Sequence, residues 1–414
     1  MGTIMNTMMN SKTLFIFFAA ISILIACSQK NTLIDKQKKT IDVYGCIGNE
    51  RPISLSEIAE GIEYVSLETS VNSVISNPAD IILSNDLIYI KGRLTDPIMV
   101  FDKSGKFIRS VDRKGRSSEE YESIVSLDID NNGIICIEST QKITEYKSDG
   151  TFIRNIFKNK DAGYRGFAKL NDNFYMFSSA LGINMINSYS ATDSESNVLW
   201  NHPFTPDETD ILKTHPRAEM FKRPYRFKDK IMIAGGVWDY ILSVNDKLEI
   251  DTAYFFNYGR FKLTKDNVKD LASTRNIITR QSDILESNRY LFLKYNIGNI
   301  AKNNGTTNSA EGVAKHQNLP LMHLYFDKQT GITSSLEPDP SKQWGFIDDY
   351  HNGPAIWPVS ISDSNHMIAF VPALTFKEAF SGKDTNSKYA QMANSLSDND
   401  NPVVIIVKLK NLSL

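Results

Sequence analysis

Short runs of apolar residues, each preceded by a polar turn, recur along the chain from residue 85 to the C terminus. Six of these runs are tetrapeptides: 87–90 (LIYI), 134–137 (IICI), 174–177 (FYMF), 231–234 (IMIA), 290–293 (YLFL) and 367–370 (MIAF). A second apolar run follows each tetrapeptide, as at 98–101 (IMVF) and 403–407 (VVIIV). Because the runs are continuous rather than alternating, they predict β-strands that are covered on both faces.

The turns between these strands repeat as well. Residues 102–109 (DKSGKFIR) align with residues 147–154 (KSDGTFIR), and both segments carry the glycine-containing turn of a β-hairpin. Repetition at this spacing is typical of propeller blades, so the sequence predicts an all-β fold, a six-bladed β-propeller of four-stranded blades. The sixth unit ends after its third strand, and we therefore expect an N-terminal strand at 62–67 (IEYVSL) to close the ring. Short helical inserts are predicted within 205–221, 265–284 and 376–396.

The first 27 residues have the pattern of a targeting segment. Lys12 precedes the apolar run 13–26, which ends in the sequence LIAC at Cys27 and resembles a bacterial lipobox. We therefore predict a lipoprotein signal peptide over 1–27, lipidation at Cys27, a flexible tether over 28–51 and the propeller over 52–414. A plain signal peptide and a membrane anchor are the alternatives. The lipid predicts a location in the cell envelope, at the outer membrane, with the periplasmic face and the cell surface both open.

Composition narrows the classes of partner. The formal net charge is −2 and Lys and Arg form no basic block, so nothing indicates a nucleic-acid partner. The six histidines lack metal-ligand spacing and no Cys-x-x-Cys motif occurs, so neither a metal site nor a cofactor is predicted. Cys46 and Cys136 could form a disulfide, although Cys136 lies inside an apolar run and is better explained as a core residue. We expect a monomer.

Several segments together resemble a known family. ISLSEIAEGIEYVSLET at 53–69, NDLIYI at 85–90, VFDKSGKFIRSV at 100–111 and NGPAIWPVSISD at 352–363 are similar to the six-bladed β-propeller lipoproteins of Bacteroidetes, distant relatives of NHL-repeat propellers. The resemblance covers roughly residues 52 to 414. It implies the propeller fold, an extracytoplasmic location and a binding role, and it supplies no catalytic residues.

Candidate ligand contacts come from the loops that enter each first strand and leave each second strand, because both sets share one mouth of a propeller. The predicted ligand-binding residues in these loops are Arg93, Tyr164, Arg165, Tyr225, Arg226, Trp238, Asn296, Asn352 and Trp357. Arginines and aromatic rings around one opening favour a carboxylated sugar, another glycan or an acidic peptide, through bidentate pairing and stacking. The alternative is structural: the arginines pair with acidic residues of neighbouring blades, and Trp357 packs in the core.

One further pattern bears on function. Asp128-x-Asp130-x-Asn132-Gly133 fits the start of a calcium loop, but the twelfth position is Ser139 and no helices flank it, so a tight turn is expected. The sequence therefore predicts a lipid-anchored propeller with a ligand-binding or scaffold role. The alternative is a polysaccharide lyase or glycoside hydrolase acting at the same mouth, which would require carboxylates converging there.

Overall fold

The computed structural model describes residues 39–75, 78–158, 164–178, 187–214, 223–268, 277–297, 300, 321–338, 343–383 and 387–413. The predicted signal peptide with Cys27, and the part of the predicted tether before residue 39, lie outside these residues. In the described part, no helix is both long enough and apolar enough to cross a membrane.

The strands form six sheets, which are the blades of the propeller. Two strands precede the first complete blade: β1 (Thr40–Ile41) and β2 (Ala59–Ser66). Blade 1 contains β3 (Asp80–Ser84), β4 (Leu87–Lys91), β5 (Ile98–Asp102) and β6 (Phe107–Val111). Blade 2 contains β7 (Ser126–Ile129), β8 (Ile135–Glu138), β9 (Lys142–Tyr146) and β10 (Phe152–Phe157). Blade 3 contains β11 (Tyr164–Leu170), β12 (Asn173–Ser178), β13 (Asn187–Thr192) and β14 (Val198–Pro203).

The second half of the ring follows the same order. Blade 4 contains β15 (Tyr225–Phe227), β16 (Lys230–Ile233), β17 (Tyr240–Val244) and β18 (Ile250–Phe256). Blade 5 contains β19 (Thr279–Arg280), β20 (Leu285–Glu286), β21 (Tyr290–Asn296), β22 (Leu321–Asp327) and β23 (Ile332–Leu336), where β19 and β20 pair with successive parts of β21. Blade 6 contains β24 (Ser360–Ile361), β25 (His366–Val371) and β26 (Val403–Leu409), and its fourth strand is β2. The predicted six-bladed propeller of four-stranded blades is thereby confirmed.

The ring closes through the N-terminal segment, as predicted. Strand β2 pairs with β26 in antiparallel orientation, with Tyr64 opposite Ile405. Asn401 fixes the chain that leaves β2, because its buried side-chain amide donates to the carbonyl oxygens of Glu68 and Ser73. Closure by a strand distant in sequence removes the exposed edge that a third strand would otherwise leave.

Six apolar clusters separate the six pairs of neighbouring blades. Between blades 1 and 2, for example, Tyr89 and Val100 pack against Leu127 and Ile135. A blade therefore has an apolar neighbour on each face, which explains why the strand sequences are continuously apolar. The smallest cluster lies between blades 2 and 3 and includes Cys136. Cys136 and Cys46 are both free and buried, which confirms the prediction of a core cysteine at 136 and leaves no disulfide between them.

The turns between third and fourth strands share one local mechanism. In blade 1 an oxygen of Asp102 accepts hydrogen bonds from the backbone N–H groups of Ser104 and Lys106, at 2.9 and 3.0 Å. Such a carboxylate turn is local in sequence, which is why it could be recognised in advance. Gly105 adds a second constraint, since its φ is +90° and a β-carbon there would lie 2.1 Å from the carbonyl oxygen of Ser66 in blade 6.

The predicted tether must be shortened, because its second half belongs to the propeller. Strand β1 pairs in parallel with the edge strand β18, and Ile41 and Val43 are fully buried against blades 4 and 5. The backbone N–H of Asp42 also donates to the Thr333 hydroxyl, at 2.8 Å. Three nearby lysines make this stretch polar on average, but two apolar residues and an available sheet edge suffice to order it.

Within the described residues, three short α-helices of eight or nine residues lie outside the blades: α1 (Pro206–Thr214), α2 (Ala373–Phe380) and α3 (Lys388–Ser395). They confirm helical inserts within 205–221 and 376–396. The described part of 265–284 contains strand β19 and no α-helix, so the helical prediction is wrong there, and 269–276 lies outside the described residues. Its apolar positions instead pack between blades, as Val268 and Ile277 do between blades 3 and 4.

Candidate ligand-binding site at the turn end of the channel

The first strand of each blade lines the axis of the ring. We call the end of this central channel where first strands turn into second strands the turn end, and the opposite end the loop end. A cavity of about 650 Å³ opens at the turn end and is lined by residues 130–132, 169–171, 226–229, 246, 286–288, 361–363 and 365. These residues come from the turns of five blades, so the cavity is a shared feature of the ring. A second cavity of about 220 Å³ lies between the first strands of all six blades.

Arg226 of blade 4 lies between the two cavities and contacts three other blades. Its guanidinium contacts Asp128 and Asp363, each at 3.4 Å, and donates to the carbonyl oxygens of Ile129 and Lys169. Burial alone would lower the pKa of Arg226, but the two carboxylates outweigh burial and raise it. The Nε atom of Arg226 is buried and has no hydrogen-bond acceptor in the described part of the chain.

A buried charge network supports the blade 2–3 side of the cavity. The Lys169 ammonium donates to Asp130 at 2.9 Å and to Glu145 at 2.5 Å. Arg154 bridges Glu145 and Asp172. Burial by itself would lower the pKa of Lys169, but these carboxylates and the adjacent Cys136 sulfur raise it. The network therefore keeps Lys169 charged and fixes the turn that contains Asp130.

Glu286 performs the equivalent task on the blade 4–5 side. Its carboxylate accepts hydrogen bonds from the hydroxyls of Tyr225 and Tyr254, both at 2.8 Å, and from Lys328 at 2.7 Å. Burial and the neighbouring Glu286 charge raise the pKa of Tyr225, which remains a neutral donor. The wall of the cavity is thus held by paired groups from adjacent blades.

At the rim of this cavity, unlike at its wall, four polar side chains have no hydrogen-bond partner among the described residues. Asn131, Asn171, Asp229 and Asp246 are exposed, and their side chains make no hydrogen bond within the described residues. Asn171 has φ of +54°, in the left-handed region that asparagine tolerates better than most residues. The rim therefore offers free amides and carboxylates on short, well-fixed turns.

Of the predicted ligand contacts, two lie in the channel. Tyr225 and Arg226 line the smaller cavity, and Arg226 also lines the larger one. Both make the contacts with neighbouring blades described above, which is what the structural alternative expected of the arginines. Tyr164 and Arg165 begin strand β11, and their side chains lie outside the described part of the structure.

The other predicted contacts are spread over the loop end. Arg93 is exposed after β4, and Asn352, with φ of +55°, accepts a hydrogen bond from Lys383 through its carbonyl oxygen. Asn296 is buried at the end of β21. Trp238 is 4% exposed, donates to Glu208 and stacks on Tyr240. Trp357 is half-buried and stacks on Phe346, with ring centroids 5.9 Å apart. A ligand contact for these residues stays a prediction.

Sequence reasoning missed the turn end, although a signal was present. The turns before the second strands are polar and contain Asn or Asp, but the sequence pattern uses them only to separate the strands. The calcium-like motif is one of them and is a turn, as predicted: an oxygen of Asp130 accepts from the N–H groups of Asn132 and Ile134. Among the described residues, no group of three acidic, His or Cys side chains is arranged to hold a metal ion.

The fold and the polar channel define the class of protein, a six-bladed β-propeller with a ligand-sized cavity at one mouth. A family profile described as a domain of unknown function (DUF4934) matches residues 38–408. The chain therefore belongs to the DUF4934 family. A comparison with curated proteins finds no match.

Three solved structures illustrate what this chain is similar to. A protein of Bacteroides fragilis, described as a candidate exported protein, is 16% identical with a TM-score of 0.63, over 90% of this chain and 99% of that one. A DUF4221 family member from Bacteroides vulgatus is 10% identical with a TM-score of 0.45, over 85% and 98%. Virginiamycin B lyase from Staphylococcus aureus is 12% identical with a TM-score of 0.38, over 68% and 75%. At these identities the first similarity shows the fold alone.

Proposed function

We propose that this protein is a cell-envelope binding protein that holds a polyhydroxylated ligand, a glycan, in the cavity at the turn end. The observation that carries the proposal is the group of amides and carboxylates on the turns of blades 2, 3 and 4 that have no partner among the described residues, beside an opening of about 650 Å³. This volume is within the usual range for small-molecule sites. Amide and carboxylate groups can each bind neighbouring hydroxyls, and rigid turns keep the entropic cost of ordering them low.

The charge of the lining favours one ligand class over another. Five acidic residues (Asp130, Asp229, Asp246, Glu286 and Asp363) face three basic ones (Lys169, Arg226 and Lys228), an excess of two negative charges. The opening is therefore acidic, which disfavours an acidic peptide and suits a neutral sugar. The buried Nε donor of Arg226, without an acceptor among the described groups, is a further point that a hydroxyl oxygen could satisfy.

The proposed location follows from Cys27. A lipid at this residue would hold the propeller at the outer membrane, and the neighbour from Bacteroides fragilis that is described as a candidate exported protein is consistent with such a location. Replacing Cys27 with Ala should move the protein from the membrane fraction to the soluble fraction of its host. Retention of the variant in the membrane fraction would contradict lipid anchoring.

The binding proposal can be tested with one pair of matched variants. Neutral oligosaccharides that bind on a glycan array would be titrated by calorimetry into the wild type and into Asn171→Gly. Glycine keeps the left-handed backbone and removes the amide, so affinity should fall about 3- to 10-fold for one lost hydrogen bond. Asn85→Gly is the control, because Asn85 (φ of +50°) begins the equivalent turn of blade 1 and does not line the cavity. No glycan binding, or an equal loss in both variants, would refute the proposal.

One observation favours the enzymatic alternative, a glycoside hydrolase at the smaller cavity. Asp283 lines that cavity, and burial raises its pKa, an effect that the neighbouring charge of Asp80 increases. A carboxyl group with a raised pKa is what a general acid requires. Release of reducing sugar by the wild type but not by Asp283→Asn would establish this activity. Equal or absent release would exclude Asp283 from such a role.

A further inference from the structure

Two basic side chains lie next to each other at the loop end, between blades 5 and 6. Lys294 on β21 lies directly opposite His323 on β22 in the antiparallel register. Lys294 is two residues before the end of β21, and His323 is two residues after the start of β22, so both are close to the loop end. Side chains in such a pair point to the same face of the sheet, which places both on the side that packs against blade 6. The two side chains lie at the opposite end of the channel from the proposed glycan site.

Tryptophan rings surround the imidazole. The Trp344 ring stacks on His323, with centroids 4.9 Å apart and an interplanar angle of 17°. The Trp357 ring meets His323 edge-on, at 4.6 Å and 89°, and the Lys294 ammonium lies 5.7 Å from the centroid of Trp357. Both tryptophans are half-buried. Two partly exposed indole rings beside a cation form a platform suited to a sugar ring with a negative group.

Neither of these two basic side chains pairs with a carboxylate among the residues that the structure describes. No carboxylate in the described part of the chain forms a salt bridge with Lys294, and the Nδ1 atom of His323 is buried without a hydrogen-bond partner among the described residues. His323 is only 4% exposed. Burial lowers the pKa of Lys294, while burial and the adjacent Lys294 charge lower the pKa of His323 to about 3. Lys294 is therefore a half-buried cation, and the neutral His323 ring keeps one nitrogen without a partner among the described residues. A carboxylate can pair with the ammonium and accept a hydrogen bond from the imidazole, so an anion is the partner that fits both groups.

We infer that the side-chain cluster of Lys294, His323, Trp344 and Trp357 is a second binding site, and that its ligand is an acidic saccharide. The carboxylate would lie against Lys294 and His323, and the sugar ring would stack on the exposed part of the indoles. The site does not depend on the proposed function, because it shares no residue with the turn-end cavity. Failure of one proposal would therefore leave the other intact.

The probe is sodium glucuronate. Glucose is the control without a charge, and acetate is the control that has a carboxylate but no sugar ring. Binding would be followed through the NMR signals of the His323 ring and through tryptophan fluorescence. We expect glucuronate to shift the His323 signals at concentrations where glucose and acetate do not, with at least a 10-fold difference in affinity. No shift with glucuronate, or equal binding of glucose or acetate, would overturn the inference.

Variants separate binding from structure. Lys294→Met keeps the length of the side chain and removes its charge, and glucuronate affinity should fall about 10- to 100-fold for a lost charge-assisted contact. Its thermal stability should not fall, because an unpaired cation has been replaced by an apolar group. Lys408→Met, an exposed residue paired with Glu60, is the control and should bind normally. Unchanged affinity in Lys294→Met would exclude the site.

Discussion

Two blade interfaces of this ring are stabilised in opposite ways. Between blades 2 and 3 the apolar cluster is small, and Lys169 is buried with Asp130 and Glu145. Between blades 5 and 6 the cluster is the largest among the described residues and contains many aromatic rings, with Tyr64 in contact with the rings of Phe376 and Tyr389. The first interface orients polar turns around a cavity, whereas the second supports helices α2 and α3. The repeated strand pattern fixes the ring, and the departures from the pattern fix the chemistry of each interface.

The largest difference between the interfaces should appear when Lys169 is replaced by Met. The substitution leaves Asp130 and Glu145 without their buried partner, and we expect a loss of about 3–5 kcal/mol in the free energy of unfolding. Urea denaturation of the two proteins measures this value. Lys228→Met is the control, since Lys228 is exposed at the next blade's turn and should change stability by less than about 0.5 kcal/mol. A loss below about 1 kcal/mol for Lys169→Met would mean that the network contributes little.

A smaller effect is expected from the polar group of the aromatic interface. The buried Asp348 carboxylate accepts from the Tyr64 hydroxyl at 2.7 Å and from the backbone N–H groups of Tyr350, His351 and Gly353. Asp348→Asn replaces one acceptor oxygen with a donor and should cost about 2 kcal/mol. Tyr64→Phe removes a single bond and should cost about 1 kcal/mol. Denaturation midpoints in the reverse order would show that the hydroxyl, rather than the carboxylate, organises this loop.

The pH dependence should also distinguish the interfaces. The pKa of His323 is lowered to about 3 in the folded protein, whereas the unfolded value is about 6.5. As the pH falls below about 6.5, His323 is therefore protonated in the unfolded chain before it is protonated in the folded protein. The stability from neutral His323 is complete above that pH and is lost toward pH 3, by up to about 1.4 kcal/mol per pH unit. His323→Phe should flatten the profile between pH 6.5 and 4.5 relative to the wild type. Parallel profiles would show that His323 titrates normally.

The smallest effect on stability is expected at the rim of the turn-end cavity. Asn171→Gly should change the free energy of unfolding by less than about 0.5 kcal/mol, since glycine adopts the observed positive φ and the amide has no described partner. Asn171→Ala should cost about 1 kcal/mol or more, because alanine is strained in that conformation. Thermal unfolding of both variants tests this order. A large loss in Asn171→Gly would mean that the amide stabilises the fold rather than being available to a ligand.

The sequence predicted the architecture well because the relevant forces are local or repeated. Continuous apolar strands required cover on both faces, and carboxylate and glycine turns such as Asp102 to Gly105 form from neighbouring residues alone. The missing fourth strand of the last blade pointed to 62–67, which overlaps the observed β2 except for residue 67. The same reasoning failed for residues 40–46, because pairing with β18 is a contact between segments more than two hundred residues apart and leaves little local pattern.

The candidate sites depended on the tertiary structure. Asn131, Asn171 and Asp229 look like ordinary turn residues in the sequence, and only closure of the ring brings them around one opening. Lys294 and His323 are 29 positions apart in the sequence, and cross-strand pairing makes them neighbours. The sequence by itself determined the blades, because burial on both faces is imprinted on every strand. Which side chains meet, and which remain without a partner, was decided by the packing of one blade on the next.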